Sequence, residues 1–189
     1  MSYCTASCNS DFYHNAGNKL FYVNGPNKLR PTISGKDTIL KWLTNQPEFS
    51  NFLSLVYIAE MYEEFDNISN DYTLFAPTND ALNKHPELLA NLTKGKARTI
   101  VCSHLTKNIP LCLSNISNHL YEVQNPLSKT ITVDGRRKPF KVGYNSIGSA
   151  FGLEFETIAN MASEVEFITK NGVIHPIDDC LHPMYEIYG

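Results

Sequence analysis

The sequence predicts an α+β domain with antiparallel sheets. Three observations predict it. Helical spacing fills the first half of the chain, hairpin signals fill the second, and one strand-to-helix corner, "DYTLFAPTNDAL" from Asp71 to Leu82, stands between them. Helices first and hairpins last is the order of a segregated α+β fold, not of alternating βαβ units. A chain of 189 residues is long enough for one domain with a real core and short for two. Its 42% hydrophobic and 19% charged content is that of a folded globular protein, and a net charge of −3 gives no general attraction to nucleic acid or anionic membrane.

Residues 1–35 are rich in Gly, Pro and Asn and lack a long periodic pattern. They read as an extended N-terminal arm that packs through Leu20, Phe21, Tyr22 and Val23; residues 36–189 form the domain. From Asp37 the pattern turns helical, with Asp37 as the N-cap and Ile39, Leu40 and Leu43 on one face. Pro47 fits the first turn of a second helix, whose stripe is Phe49, Phe52, Leu53, Val56, Tyr57 and Glu60. In the corner, Tyr72, Leu74 and Ala76 alternate with Thr73, Phe75 and Pro77, the period of a strand. Thr78, Asn79 and Asp80 then supply helix-capping side chains.

After the corner, "HPELLANLTKG" reads as a short helix ended near Gly95. The next helix carries Ala97, Ile100, Val101, His104 and Leu105 along one stripe. Lys107 to Ser128 shows no dominant period. "KTITVDGRRKPFKVG" is a hairpin turning at Asp134-Gly135, and "EVEFITKNGVIHPIDD" is another turning at Lys170-Asn171-Gly172.

The five cysteines, Cys4, Cys8, Cys102, Cys112 and Cys180, are odd in number and accompany no secretory leader, so they read as reduced thiols. Glycosylation triplets at Asn67, Asn91 and Asn115 match the number that chance supplies in so Asn-rich a chain. With no leader and no apolar stretch long enough for a bilayer, the expectation is cytoplasmic synthesis, or an extracellular site if a leader is missing.

The corner and the last hairpin together resemble the fasciclin domain, a module best known from adhesion proteins. Thr73 to Leu82 match its "TLFAPTNDAF"-like signature, and Asn171 to Pro183 match its "NGVIHVID…LLP"-like signature. "ILKWLTNQPEFSNF" matches the family's opening helix and "peF" element, and "TIVCSHL" falls where the family carries a Tyr-His pair. The resemblance covers residues 36–184 and implies a single domain with a β-sandwich-like antiparallel core flanked by helices. Three positions depart from the family pattern. Leu82 replaces an aromatic residue, Pro176 a β-branched one, and Ser103 the tyrosine whose surroundings are linked to integrin adhesion in animal members.

Asp80 at a sharp corner invites a base or metal-ligand role, but no second carboxylate or nucleophile accompanies it, and we read it as a cap. His104 on an apolar stripe reads as a core histidine; the resemblance places it near Asp80 or Thr78. Cys102-Ser103-His104 and Cys180-Leu181-His182 lack zinc-ligand spacing. We therefore expect no catalytic residue, cofactor or metal. The resemblance implies a structural clasp of Thr78, Asn79, Asp80, His104, Asn171, Gly172 and His175. Partner-contact candidates are Phe21 and Tyr22 in the arm, and Arg136 and Arg137 at the hairpin tip "DGRRKPFK", facing an acidic surface. The expected function is a non-enzymatic interaction or adhesion-type module. Its alternatives are a structural component of a cytoplasmically assembled viral particle and, in another class, an enzyme or small-ligand carrier using His104, His175 or a core cavity.

Overall fold

Thr38, not Asp37, starts the first helix, because its hydroxyl reaches the Lys41 N–H at 3.3 Å. Asp37 instead pairs with Lys41, at 3.3 Å. In the computed structural model, which describes residues 36–148, 153–162 and 165–182, helix α1 (Ile39–Thr44) buries Ile39, Trp42 and Leu43. A 3₁₀ turn over Pro47–Phe49 leads into α2 (Ser50–Ile58), which buries Phe52, Leu55 and Val56. The expected stripe rotates at its end: Tyr57 is 50% exposed and stacks on Tyr62 of α3 (Tyr62–Asp66).

Strand β1 (Tyr72–Pro77) and helix α4 (Asn79–Asn83) form the corner, followed by α5 (Pro86–Leu89) and α6 (Lys94–Ser103). Gly95 lies in the first turn of α6 and does not end a helix; Thr93 caps that turn through the Lys96 N–H. Strand β2 (Leu105–Lys107), α7 (Leu113–Ile116), β3 (Leu120–Gln124), β4 (Thr130–Asp134), β5 (Lys141–Gly148), β6 (Leu153–Asn160), β7 (Phe167–Thr169) and β8 (Gly172–Ile177) complete the order. The unpatterned middle of the sequence thus holds β3 and α7. Each is only four or five residues long, too short for a period to register.

The strands form two four-stranded sheets, β2-β1-β8-β7 and β3-β4-β5-β6. The second is a pure antiparallel meander. The first departs from the all-antiparallel expectation, since β1 and β8 run parallel from Tyr72↔Gly172 to Pro77↔Ile177. A parallel pair needs a long crossover, and here the crossover contains the whole second sheet. An isolated bridge, Met161↔Ile177, and the Ala162 N–H on Pro176 O at 2.8 Å join the two sheets.

This layering explains the burial of β1. Tyr72, Leu74 and Ala76 face the helices in one apolar cluster with Phe52, Val56 and Ile100, while Phe75 faces Val133, Val142 and Tyr144 of the second sheet. The alternation read from the sequence is present, yet both faces are dry. In β4 the same alternation leaves one face wet: Ile131 and Val133 are buried, and Thr130, Thr132 and Asp134 are half-exposed. Pro176 lies in strand β8, between β1 and β7; β7 pairs only with Gly172 to Ile174, so at Pro176 the strand has no β7 partner to miss its N–H. Cys102 and Cys180 are buried free thiols. Cys112 is disulfide-bonded, its partner outside the described residues, which corrects the reduced-thiol reading at that position.

Candidate functional site

At the corner, three adjacent side chains do three different things. Thr78 is the N-cap of α4, its hydroxyl accepting the Ala81 N–H at 3.1 Å. Asn79 reaches sideways to the start of α2. Its Nδ2 donates to Pro47 O at 3.0 Å, and its Oδ1 accepts the Asn51 N–H at 3.0 Å. Asp80 points to solvent in the first turn, with no side-chain hydrogen bond or ion pair among the described residues.

Asn171, at the β7–β8 turn, is fully buried. Its Oδ1 accepts the Ile39 N–H at 2.9 Å, and its Nδ2 donates to Phe65 O at 2.8 Å and Asn67 O at 3.2 Å. Its own carbonyl accepts the Tyr72 N–H at 3.0 Å. The side-chain amide therefore ties the start of α1 to the end of α3, using both of its donors, and the backbone carbonyl adds the start of β1. Gly172 follows at φ +154°, where an added Cβ would lie 2.2 Å from Tyr72 O. Only glycine fits.

His104 ends α6 and is fully buried. Nδ1 lies 2.7 Å from Ile100 O, and Nε2 accepts the Leu181 N–H at 2.9 Å. Both bonds need the neutral Nδ1–H tautomer. Burial pushes the imidazole pKa down to about 4, against the hydrogen bond to Ile100 that favours the charged form. Ser103, in the family's tyrosine position, donates to Leu181 O at 2.6 Å. Adjacent side chains thus hold both polar groups of the buried Leu181 backbone. The ring does not meet Asp80 or Thr78; the tie to the first motif is His104's own carbonyl, which accepts the Phe75 N–H at 2.8 Å.

His175 is also buried. Its Nε2 donates to Leu111 O at 2.6 Å, its ring stacks on Phe75, and burial lowers its pKa. The clasp residues therefore do not converge on one point. They sit at separate joints: α4 with α2, α1 with β8, and α6 with the segment after β8. Sequence reasoning matched residues 178–182 to the family's last signature but missed what holds them, Lys84, His85 and Ser103 among them, because no periodicity marks an irregular stretch.

The β4–β5 tip is the open feature. Gly135 lets the backbone pass against Ile116, where a Cβ would lie 1.9 Å from Ile116 O. Asp134 accepts from Arg136 Nε at 3.0 Å and Nη2 at 2.9 Å, and this pairing holds its carboxyl down to about 2. Arg137 and Lys141 are exposed and have no hydrogen-bond or ion-pair partner among the described residues. Asp134, Arg136, Arg137, Lys138, Pro139 and Lys141 line a cavity of about 630 Å³. Phe21 and Tyr22 lie outside the described residues. No cluster of three or more metal-ligating side chains occurs among the described residues.

No sequence among curated proteins matches the chain significantly. The structure is similar to a FAS1 domain pair from the insect cell adhesion molecule Fasciclin I, with a TM-score of 0.56 at 14% identity, over 80% of this chain and 53% of that one. The chain spans about half the length of that pair. At this identity the likeness speaks to fold. The family model for the fasciclin domain matches residues 47–183, well over half of the sequence. This chain belongs to the fasciclin domain family.

Proposed function

We propose that this chain is a non-enzymatic protein-interaction module of the adhesion type, and that its β4–β5 tip meets an acidic surface on a protein partner. The observation that carries the reading is the contrast between the two kinds of polar group. The buried ones, on His104, Ser103 and Asn171, are engaged with backbone groups inside the domain. The exposed cations Arg137 and Lys141 face outward beside a cavity, with no internal partner among the described residues. A cavity lined by four cations and one neutralised carboxylate suits anion contact more than acid–base chemistry, which needs a titratable pair of shifted pKa. Membership of a family associated with adhesion supports the same reading, as does the Cys112 disulfide, which suits an oxidising setting. In the arm, Phe21 and Tyr22 are further contact candidates.

The test is an NMR titration with poly-L-glutamate as the acidic probe. The reading expects shift changes centred on residues 135–141, weakened by salt as exposed charge pairs are and abolished in Arg137→Glu/Lys141→Glu without a change in melting temperature. Changes spread evenly over the surface, or binding retained by the double variant, would overturn the tip as the contact.

A further inference from the structure

We propose that residues 178–182, the irregular segment that leaves β8, form a proton-operated strap that is closed at neutral pH and released locally in acid. Side chains from elsewhere in the fold supply most holds on this segment, and the Asn160 backbone supplies others. Lys84 Nζ donates to Asp178 O at 2.6 Å, and Asp178 accepts the Asn160 N–H at 2.8 Å. His85 Nε2 lies 2.5 Å from Asp179 Oδ1. Leu181 is held at both ends by Ser103 and His104, and the His182 N–H donates to Thr157 Oγ1 at 3.2 Å.

One of these holds depends on protonation at His104. His85 faces carboxylates from both ring nitrogens, Asp179 at 2.5 Å and Glu87 at 3.4 Å. His104 instead accepts through Nε2. A proton on Nε2 would set two N–H groups against each other across 2.9 Å, and only withdrawal of the Leu181 peptide relieves that clash.

The groups facing His104 make acid release one-sided. On its own helix the neighbour is Ser103, which is not ionisable in this range. From α2 it meets the Phe52 ring, edge-on at 5.5 Å. From the strap it faces His182, whose charge would oppose its own. His182 is buried, its Nδ1 has no hydrogen-bond partner among the described residues, and its ring meets His85 edge-to-face at 5.1 Å. Glu87 and Asp179 act on His182, where they partly offset the lowering of its pKa by burial and by His85. Lys84 adds a further cation. Falling pH thus adds positive charge at His104 and His182, and no carboxylate hydrogen-bonds to His104 among the described residues. Release would bare the socket that Leu181 fills.

The measurement is amide hydrogen exchange on the full chain between pH 7.5 and 4.5, expressed as protection factors. A folded-state pKa near 4 against about 6.5 in the open state makes opening about tenfold easier per pH unit within that window. Protection of the Leu181 amide should therefore fall about 40-fold between pH 6.5 and 4.5, because the tenfold slope flattens near each pKa, while the amides of β4 and β5 keep theirs. In His104→Gln, which offers an acceptor and a donor without titrating, the slope should shrink to the share left by His182, whose pKa burial also lowers. Flat Leu181 protection in the wild type, a loss shared equally by β4 and β5, or an undiminished slope in the glutamine variant each overturns the proposal. The wild-type measurement decides by itself if the variant does not fold.

Discussion

Asn171 and Asp80 show how little a motif's letters say about which residue carries weight. Both lie in signature segments, yet Asn171 satisfies backbone groups of three elements and Asp80 satisfies none among the described residues. Asn171→Ala strands the Ile39 N–H and the Phe65 carbonyl in a dry joint, at a cost of about 3 kcal/mol. For a domain of this size that lowers the melting temperature by roughly 10 °C. Asp80→Ala removes only a favourable charge at a helix start, a few tenths of a kcal/mol, whereas Thr78→Ala loses the cap and about 1 kcal/mol. Thermal melts should show the largest loss for Asn171→Ala, a smaller one for Thr78→Ala and the least for Asp80→Ala; equal melts for Asn171→Ala and Asp80→Ala would refute it. His104 adds a pH dependence. Its pKa is depressed in the fold, so the unfolded chain binds the extra proton. Full stability is present above pH 6.5 and falls by on the order of 3 kcal/mol as pH drops towards 4. His175 and His182, also depressed by burial, act in the same direction. Denaturant melts at pH 7 and pH 4.5 measure the difference, and a midpoint independent of pH would contradict it.

Among the elements, the parallel pair β1–β8 sets the geometry of everything around it. Its register opens at Tyr72↔Gly172, where the two backbones pass so closely that no side chain fits. Gly172→Ala must shift β8 or distort the turn, and a loss above about 2 kcal/mol is expected. A crystal structure of a stable, undistorted Gly172→Ala variant would disprove the close approach. The strands at this joint were legible, because β-type runs and an Asn-Gly turn are local signals. Their parallel pairing was not, since nothing within a short window reports a partner about a hundred positions away. The same distinction separates the caps. Thr78 and Asp37 look alike in sequence, but Asp37 lies one position too early and pairs with Lys41 instead. His104 was legible as buried from its stripe. Its partner, the Leu181 peptide, was not, because an irregular backbone segment carries no pattern. Gly95 misled for a related reason: a glycine near a helix end marks a start or a stop equally well until the cap, here Thr93, is known.

At the scale of the whole molecule, the question is where the folding unit begins. The described chain anchors its own entry: the Lys170 N–H donates to Asp37 O at 2.8 Å, Thr38 caps α1, and Asn171 holds the Ile39 N–H at 2.9 Å. Three successive residues are thus fixed by bonds to the domain, and none of those bonds needs residues before Asp37. The arm of residues 1–35 contains Phe12, Tyr13, Leu20, Phe21, Tyr22 and Val23. Its own pattern is too irregular for an independent core, and ordering it costs about 1–2 kcal/mol per residue unless other surfaces repay it. We propose that a partner supplies those surfaces. A protein beginning at Lys36, with Cys112→Ser included because the disulfide partner of Cys112 lies outside the described residues, should fold cooperatively and melt within a few degrees of the same substitution in the full chain. It should then fail to enter whatever complex the full chain forms in its native source, and Phe21→Ala/Tyr22→Ala in the full chain should weaken entry in the same way. A truncated protein that folds and still assembles normally defeats the partner role of the arm. One that does not fold moves the domain's boundary into the arm.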